Sequence, residues 1–495
     1  MELEFEKEKV PYLGVPVREI QNVEATQELK LPDGLPDVGK IQAAWGQEIL
    51  RGKEWCMDSI LLTGGVMVWV LYAPEDGGPS RILNTWIPFQ MKWDLPDNTP
   101  EGKIRAKCLV RFVDARSVSP RKVMVRCGVA AMAEAMVPSQ AEISTPGQIP
   151  EGVELLRSKY PILLPREAGE KAFFLEEELT PVGAEKVLYC SMMPEIQEQR
   201  VMGNKIAFRG NGNLHVLFAG EDGLVSAQDF LLPFSQFADL EGSFGNEAQA
   251  NMIPAVTELE LDLDDEGKLR LKAGLLGQYV VEEPSILETV EDAYSIGREL
   301  NMERTEANLP VILDCRNENI FGEQMVPAQG GREVDTRILP DFPQQRRTDN
   351  GVNLVCPGSF QTLYYNDSGE LQTVGGRYET ERNIHADEAA RVTAIPEKPG
   401  EPQVSFGNGS MAFRAEIPVR ITSEAGRGIP MVLGLELGEE QGKNPDRPSI
   451  VLRRADGTRL WDMAKKAGST VEAIKKANDL GGEPAPGQIL LIPVF

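Results

Sequence analysis

Histidine is almost missing from this chain: only His215 and His385 occur in 495 residues. Histidine-based zinc sites need several imidazoles together and a Ser-His-Asp relay needs one in defined partnership, so two histidines in different repeats nearly rule out both. Basic charge is also scarce. Lys and Arg number 51 against 76 Asp and Glu, a net charge of −25 with histidine neutral. Wrapping nucleic acid requires cations that neutralise phosphates, so nucleic acid is excluded as a partner class. An anionic lipid surface would repel the same body. The longest apolar run, GGVMVWVLYA at 64–73, is too short to span a bilayer, and the chain is expected not to be membrane-spanning. MELEFEKEKVPYLG at the start shows neither the basic nor the apolar stretch of an export signal. Six cysteines stand singly, with no CxxC spacing, which suits reduced thiols and a cytoplasmic location. No phosphate-binding loop, GxGxxG or GxSxG string is present. No catalytic residue, metal ligand or cofactor is assigned, and the expectation is a protein that is not an enzyme.

What the chain does have is repetition. VLYAPEDG at 70–77 returns as VLFAGEDG at 216–223, and RKVMVRCGVA at 121–130 is answered by GKLRLKAGLL at 267–276, both at an offset of 146. WIPFQMKW at 86–93 corresponds to LLPFSQFA at 231–238. A weaker third copy follows in TLYYNDSGELQ at 362–372 and GSMAFRAEIPV at 409–419. Solenoid units run roughly 20–50 residues, so a period this long marks whole domains.

The strands are legible inside these copies. In TELELDLDDEGKLRLKAGL at 257–275, Leu259, Leu261 and Leu263 share one face, and Leu269 and Leu271 continue it after a turn. Glu258, Glu260 and Asp262 then oppose Lys268, Arg270 and Lys272 on the wet face. VMVWVLY at 66–72 is apolar on both faces, as a covered central strand should be. The pattern predicts helix over 36–50 and 286–300, and linkers at 138–152 and 438–448. DLDDEG at 262–267 has the first acids of a calcium loop, but the twelfth position is Ala273, so a bare turn is expected.

The last fifty residues read differently. RLWDMAKKAG puts Leu460, Met463, Ala464 and Ala467 on one helical face, with Lys465 and Lys466 outside and Gly468 as a stop. Ser469 and Glu472 have capping-box spacing for a second helix. PSIVLRR before and GQILLIP after supply two strands, giving β-α-α-β. From residue 449 on, seven basic residues face five acidic ones, a mildly basic tip on an acidic body.

Gly457, Leu460, Trp461, Ala464, Lys465 and Lys466, then Asn478 and PGQILLIP, make this tail resemble a LysM domain. That resemblance implies binding of N-acetylglucosamine glycans in a groove between the loops flanking the two helices. Here the groove would take Gly457, Thr458, Arg459, Leu460 and Trp461 from one side. Asn478, Asp479, Leu480 and Gly481 would come from the other, with Gly487 ahead of the last strand. The family's first loop usually reads Gly-Asp-Thr-Leu, and Thr458 and Arg459 replace its middle pair. LPDVGKI, GGVMVWVLYAPEDG and IPFQMKW in turn resemble the SPOCS domain of SipL- and SpoVID-like spore-coat morphogenetic proteins.

The expected architecture is mainly β: three tandem sandwich- or barrel-like domains of one fold, then a small βααβ LysM module. The boundaries are 1–140, 150–283, 284–438 (diverged) and 448–495. The resemblance implies a spore-coat assembly and encasement adaptor in the mother-cell cytoplasm, at the forespore surface. Its partner would be a coat morphogenetic ATPase of the SpoIVA type or another coat protein. Self-association, and a cell-envelope protein whose tail holds peptidoglycan, stay open beside it.

Overall fold

Alternating burial drives nearly every segment of this chain into β-strand. The computed structural model describes residues 2–145, 147, 149–349, 351–387, 389–440 and 448–495. Among these residues seven sheets form, six of them in the acidic body. Glu6–Lys30, Lys122–Thr145 and Lys103–Ser119 make one three-stranded sheet, with Lys122–Thr145 central. It packs against Val38–Trp55, Ser59–Pro74 and Arg81–Asp94, around Val66, Val68, Val70, Val125 and Trp93. The second pair of sheets has Val153–Leu179, Leu269–Ser295 and Gln249–Leu263 in one layer. Its other layer holds Lys186–Ala219 and Val225–Phe244. Lys186–Ala219 doubles back near Gly203, whose φ of 61° suits glycine, so Glu185 N–H donates to Ala219 O at 2.9 Å. In the third pair, Arg298–Pro327 and Ser410–Glu440 face Gly331–Pro340, Gly351–Asn366 and Leu371–His385 across a core of Leu354, Phe360, Phe413 and Ile421.

The three two-layer units close on one another. Between the first and second, Gln278 donates to Ala106 O (2.8 Å) and accepts from Ala106 N–H (2.9 Å). Between the second and third, Val225 N–H donates to the Tyr365 hydroxyl (2.7 Å). Between the third and first, Thr373 Oγ1 donates to Gln42 O (2.5 Å). A buried ionic network lies where all three meet. Glu134 accepts from Arg18 Nε and Arg105 Nε, each at 2.5 Å. Arg18 also grips Glu424 through both terminal nitrogens (2.6 and 3.0 Å). Arg420 donates to Asn251 Oδ1 at 2.8 Å. Burial alone would push the Glu134 carboxyl up, but the guanidiniums of Arg105 and Arg18 outweigh it and hold the carboxyl at about 2.

The first and last strands of each unit are far longer than its core requires, 24 to 31 residues. Typical strands have about 5–6. The surplus forms three two-stranded ribbons that share a second hydrophobic cluster of Val10, Ile143, Leu164, Leu309 and Ile429. Glu2–Glu4 adds to the third ribbon, pairing Leu3 with Leu435.

Two helix expectations are overturned. Residues 38–55 are strand, and 269–295 and 298–327 are strands through the second stretch. Ala, Gln and Glu favour helix weakly, and burial of Ala43, Trp45 and Ile49 at period two overrides that preference. The first linker is also shorter than expected: 138–145 pairs with 6–13 as ribbon. Of the last linker, 438–440 is strand and 441–447 lies outside the described residues. The 257–275 hairpin forms in the register that its leucines dictate, with Leu261 opposite Leu271 and Glu260 opposite Lys272. At its turn, Asp264 Oδ1 accepts from the N–H groups of Glu266 and Lys268 (3.0 and 2.9 Å).

Candidate docking site in the C-terminal module

The tail has the element order strand, helix, helix, strand. Ile450–Arg454 pairs antiparallel with Ile489–Pro493, and α1 (Leu460–Ala467) and α2 (Val471–Ala477) cover one face of that ribbon. Leu460, Met463, Ala464, Ile474, Leu490 and Ile492 fill the space between them. Gly468 ends α1 in the left-handed conformation (φ 64°). The cap of α2 is Thr470, whose hydroxyl accepts from Ala473 N–H at 2.9 Å, and not Ser469. Ser469 is consumed in closing α1, its N–H donating to Ala464 O.

The ten residues assigned to a groove divide sharply. Gly457 (φ 89°), Asp479 (φ 52°) and Gly481 are exposed on the two loops. Thr458 turns inward on its own loop, donating N–H (3.1 Å) and hydroxyl (2.5 Å) to Asp456. Those bonds, the hydroxyl first, hold the Asp456 carboxyl at about 2. Arg459 stands at the start of α1 and pairs with Asp462 at 3.1 Å. Leu460 is core, and its N–H donates to Glu483 Oε2 at 3.0 Å, which ties the first loop to the second. Asn478 is a latch: its amide donates to Ile474 O and Leu491 O, and its oxygen accepts from Leu491 N–H. Leu480 is half-buried on the core, and Gly487 (φ 86°) donates N–H to Ala455 O.

Trp461 faces the body. Its ring meets Tyr294 edge-on, centroids 4.7 Å apart, and its Nε1 donates to Asp292 Oδ2 at 2.8 Å. Lys465, expected to point into water beside Lys466, instead donates to both oxygens of Asp292 at 2.8 Å. Arg304 adds a second cation to that carboxylate, and the Tyr294 hydroxyl donates to Ser469 O at 2.8 Å. Burial works to raise the Asp292 carboxyl, and Lys465, Trp461 and Arg304 together bring it below the usual range. The tail is therefore bolted to the second ribbon.

Sequence reasoning missed Asp292 and Tyr294 because their segment was read as helix, and Glu483 because a loop acid carries no pattern. It also missed the far side of the tail sheet. IVL and ILLI are apolar at both parities, yet helices cover only one side. Ile450, Leu452 and Ile489 are consequently 54, 70 and 68 % exposed, with Leu491 beside them.

Comparison with known families bears on the middle of the body. Residues 184–263 match the family model SipL, SPOCS domain. The SPOCS segment takes in Lys186–Ala219, Val225–Phe244 and Gln249–Leu263, leaving the long ribbon strands of its own unit outside. It covers well under half of the chain. No curated protein and no solved structure matches the chain. Among the described residues, no helix is long and apolar enough to cross a membrane.

Proposed function

We propose that this chain is a non-enzymatic adaptor for spore-coat assembly and encasement. Three units of one β fold make a rigid scaffold, and the tail is a LysM-type module that docks onto a coat morphogenetic protein, an ATPase of the SpoIVA type. The carrying observation is the SPOCS match over 184–263, which points to a sporulation role. The common strand order of the three units supports reading them as copies: in each, the first strand pairs with the last, and the last with the strand before it. The work would take place in the mother-cell cytoplasm at the forespore surface.

Protein docking is favoured over sugar by the first loop. Thr458 is spent on Asp456 and Arg459 on Asp462, which leaves few short polar groups for an acetamido sugar. Capture from sporulating cells, with the full chain against one ended after residue 440, tests the reading. A coat protein retained only by the full chain supports it. Titrating chitotetraose into the full chain separates the second reading: micromolar binding with shifts at 457–460 and 479–483 would move the protein to the cell envelope.

A further inference from the structure

The bare face of the tail sheet has a complement on the body. Ile450, Leu452 and Ile489 form an apolar strip that points away from the helices and ends in the exposed Arg454. Contiguous apolar surface of this kind marks interaction sites in otherwise polar proteins. On the body, Leu231 and Phe237, 67 and 54 % exposed, share the outward face of one strand, with Pro233 and Ser235 between them. They lie on Val225–Phe244, an edge strand that pairs on one side only among the described residues. The same outward face ends in the acids Asp239 and Glu241, with Lys205 at 3.6 Å from Asp239.

The first unit does not carry this strip. At the corresponding stations it carries Trp86, which packs on the second unit's core, and Lys92, which would break an apolar surface. Neither device is used at Leu231 or Phe237.

We propose that the occupant of the tail face is a second copy of this chain, docked head to tail on the strip of Leu231, Pro233 and Phe237. Charge decides between the two ways a second copy could bind. Tail against tail would bring two mildly basic modules and two Arg454 side chains together. Tail against body sets the basic module, net +2, on a body of net −27. The second arrangement also sets Arg454 near the acidic end of the strip. The contact joins different surfaces of two identical chains, so each bound copy leaves one tail and one strip unused, and growth continues into an open filament or a ring. This inference does not need the coat reading; it concerns the purified chain alone.

Sedimentation velocity on the full chain tests it. The wild type should form species larger than dimer as concentration rises through the micromolar range, and added salt should dissolve them. Leu452→Asp and Phe237→Asp should each remain monomeric. Both positions are exposed, and unchanged melting curves confirm the fold; Ile489→Asp repeats the tail arm. Mixed in equal amounts, the two variants should give dimers that grow no further, because one intact tail meets one intact strip. A wild type that stays monomeric at every concentration overturns the proposal. So does a mixture with no dimer, or a Phe237→Asp chain that assembles as the wild type does.

Discussion

Asp292→Ala is the sharpest perturbation of how the tail is held. The carboxylate is largely shielded, with 14 % of its side chain exposed, and it receives Trp461 Nε1, Lys465 Nζ and Arg304. Hydrogen bonds to a charged group contribute about 1.5–3 kcal/mol each, but Lys465 and Arg304 reach water once released. The expected loss is therefore about 2–4 kcal/mol, set mainly by the stranded Trp461 N–H and by one lost ion pair. Trp461→Ala removes the contact with Tyr294 as well and should lose about 3–5 kcal/mol. Lys466→Ala, on the exposed turn beside Lys465, should change little. Hydrogen exchange measured by mass spectrometry reads the effect locally. Amides of residues 460–467 should exchange roughly 30- to 1000-fold faster in Asp292→Ala, while the core strand 59–74 keeps its protection. Wild-type exchange in α1 of the Asp292→Ala chain would refute the anchor.

Three further outcomes follow from the body. Glu134 has a carboxyl held at about 2 against an ordinary 4.5, so its contribution of roughly 3 kcal/mol is full above pH 4.5 and is lost as pH falls toward 2. Urea midpoints should drop between pH 5 and pH 3, and Glu134→Gln, which takes the carboxylate from Arg105 and leaves Arg18 with Glu424 alone, should already lose about 3–5 kcal/mol at pH 7. His215 is buried between Asp229 (2.7 Å) and Asp335 (3.2 Å). Burial and Arg337 work to lower its pKa, but the two carboxylates prevail and raise it above 6.5. Its stabilisation is therefore full below about pH 6.5 and fades as pH rises through the folded value, a dependence that His215→Gln should remove from a denaturation series. Gly169→Ala should destabilise by about 1–3 kcal/mol in the same assay, because its Cβ would sit 2.3 Å from the Tyr279 hydroxyl.

What the sequence disclosed and what it hid follow one physical division. The 257–275 hairpin was legible because its leucines and opposed charges repeat at period two, and a neighbouring strand is all it needs. Segment 38–55 was not, since its Ala, Gln and Glu suit either state and only distant partners such as Tyr189, stacked on Trp45 at 5.2 Å, decide. The ribbons were equally hidden. Val10, Leu164, Leu309 and Ile429 become a core only when three far-apart units converge. In the tail, local signals found both helices and the stop at Gly468. The partners of Trp461 and Lys465 lie in another unit, and no spacing rule connects them.

The position of the tail matters as much as its chemistry. Three units closed by contacts at every seam leave little freedom inside the body, so a surface presented by one unit is fixed relative to the others. Bolting α1 to Asp292 and Tyr294 extends that rigidity to the tail and fixes the direction in which Ile450, Leu452 and Ile489 face. A contact between two rigid copies does not have to order the module first, and side-chain and segment ordering is a main cost of association. Loosening the anchor leaves the apolar face intact but lets it point in many directions. Asp292→Ala should accordingly weaken head-to-tail assembly without abolishing it, whereas Leu452→Asp abolishes it with the anchor untouched. Sedimentation of the two variants at matched concentration separates orientation from adhesion: equal loss in both would mean that the anchor and the face are one site.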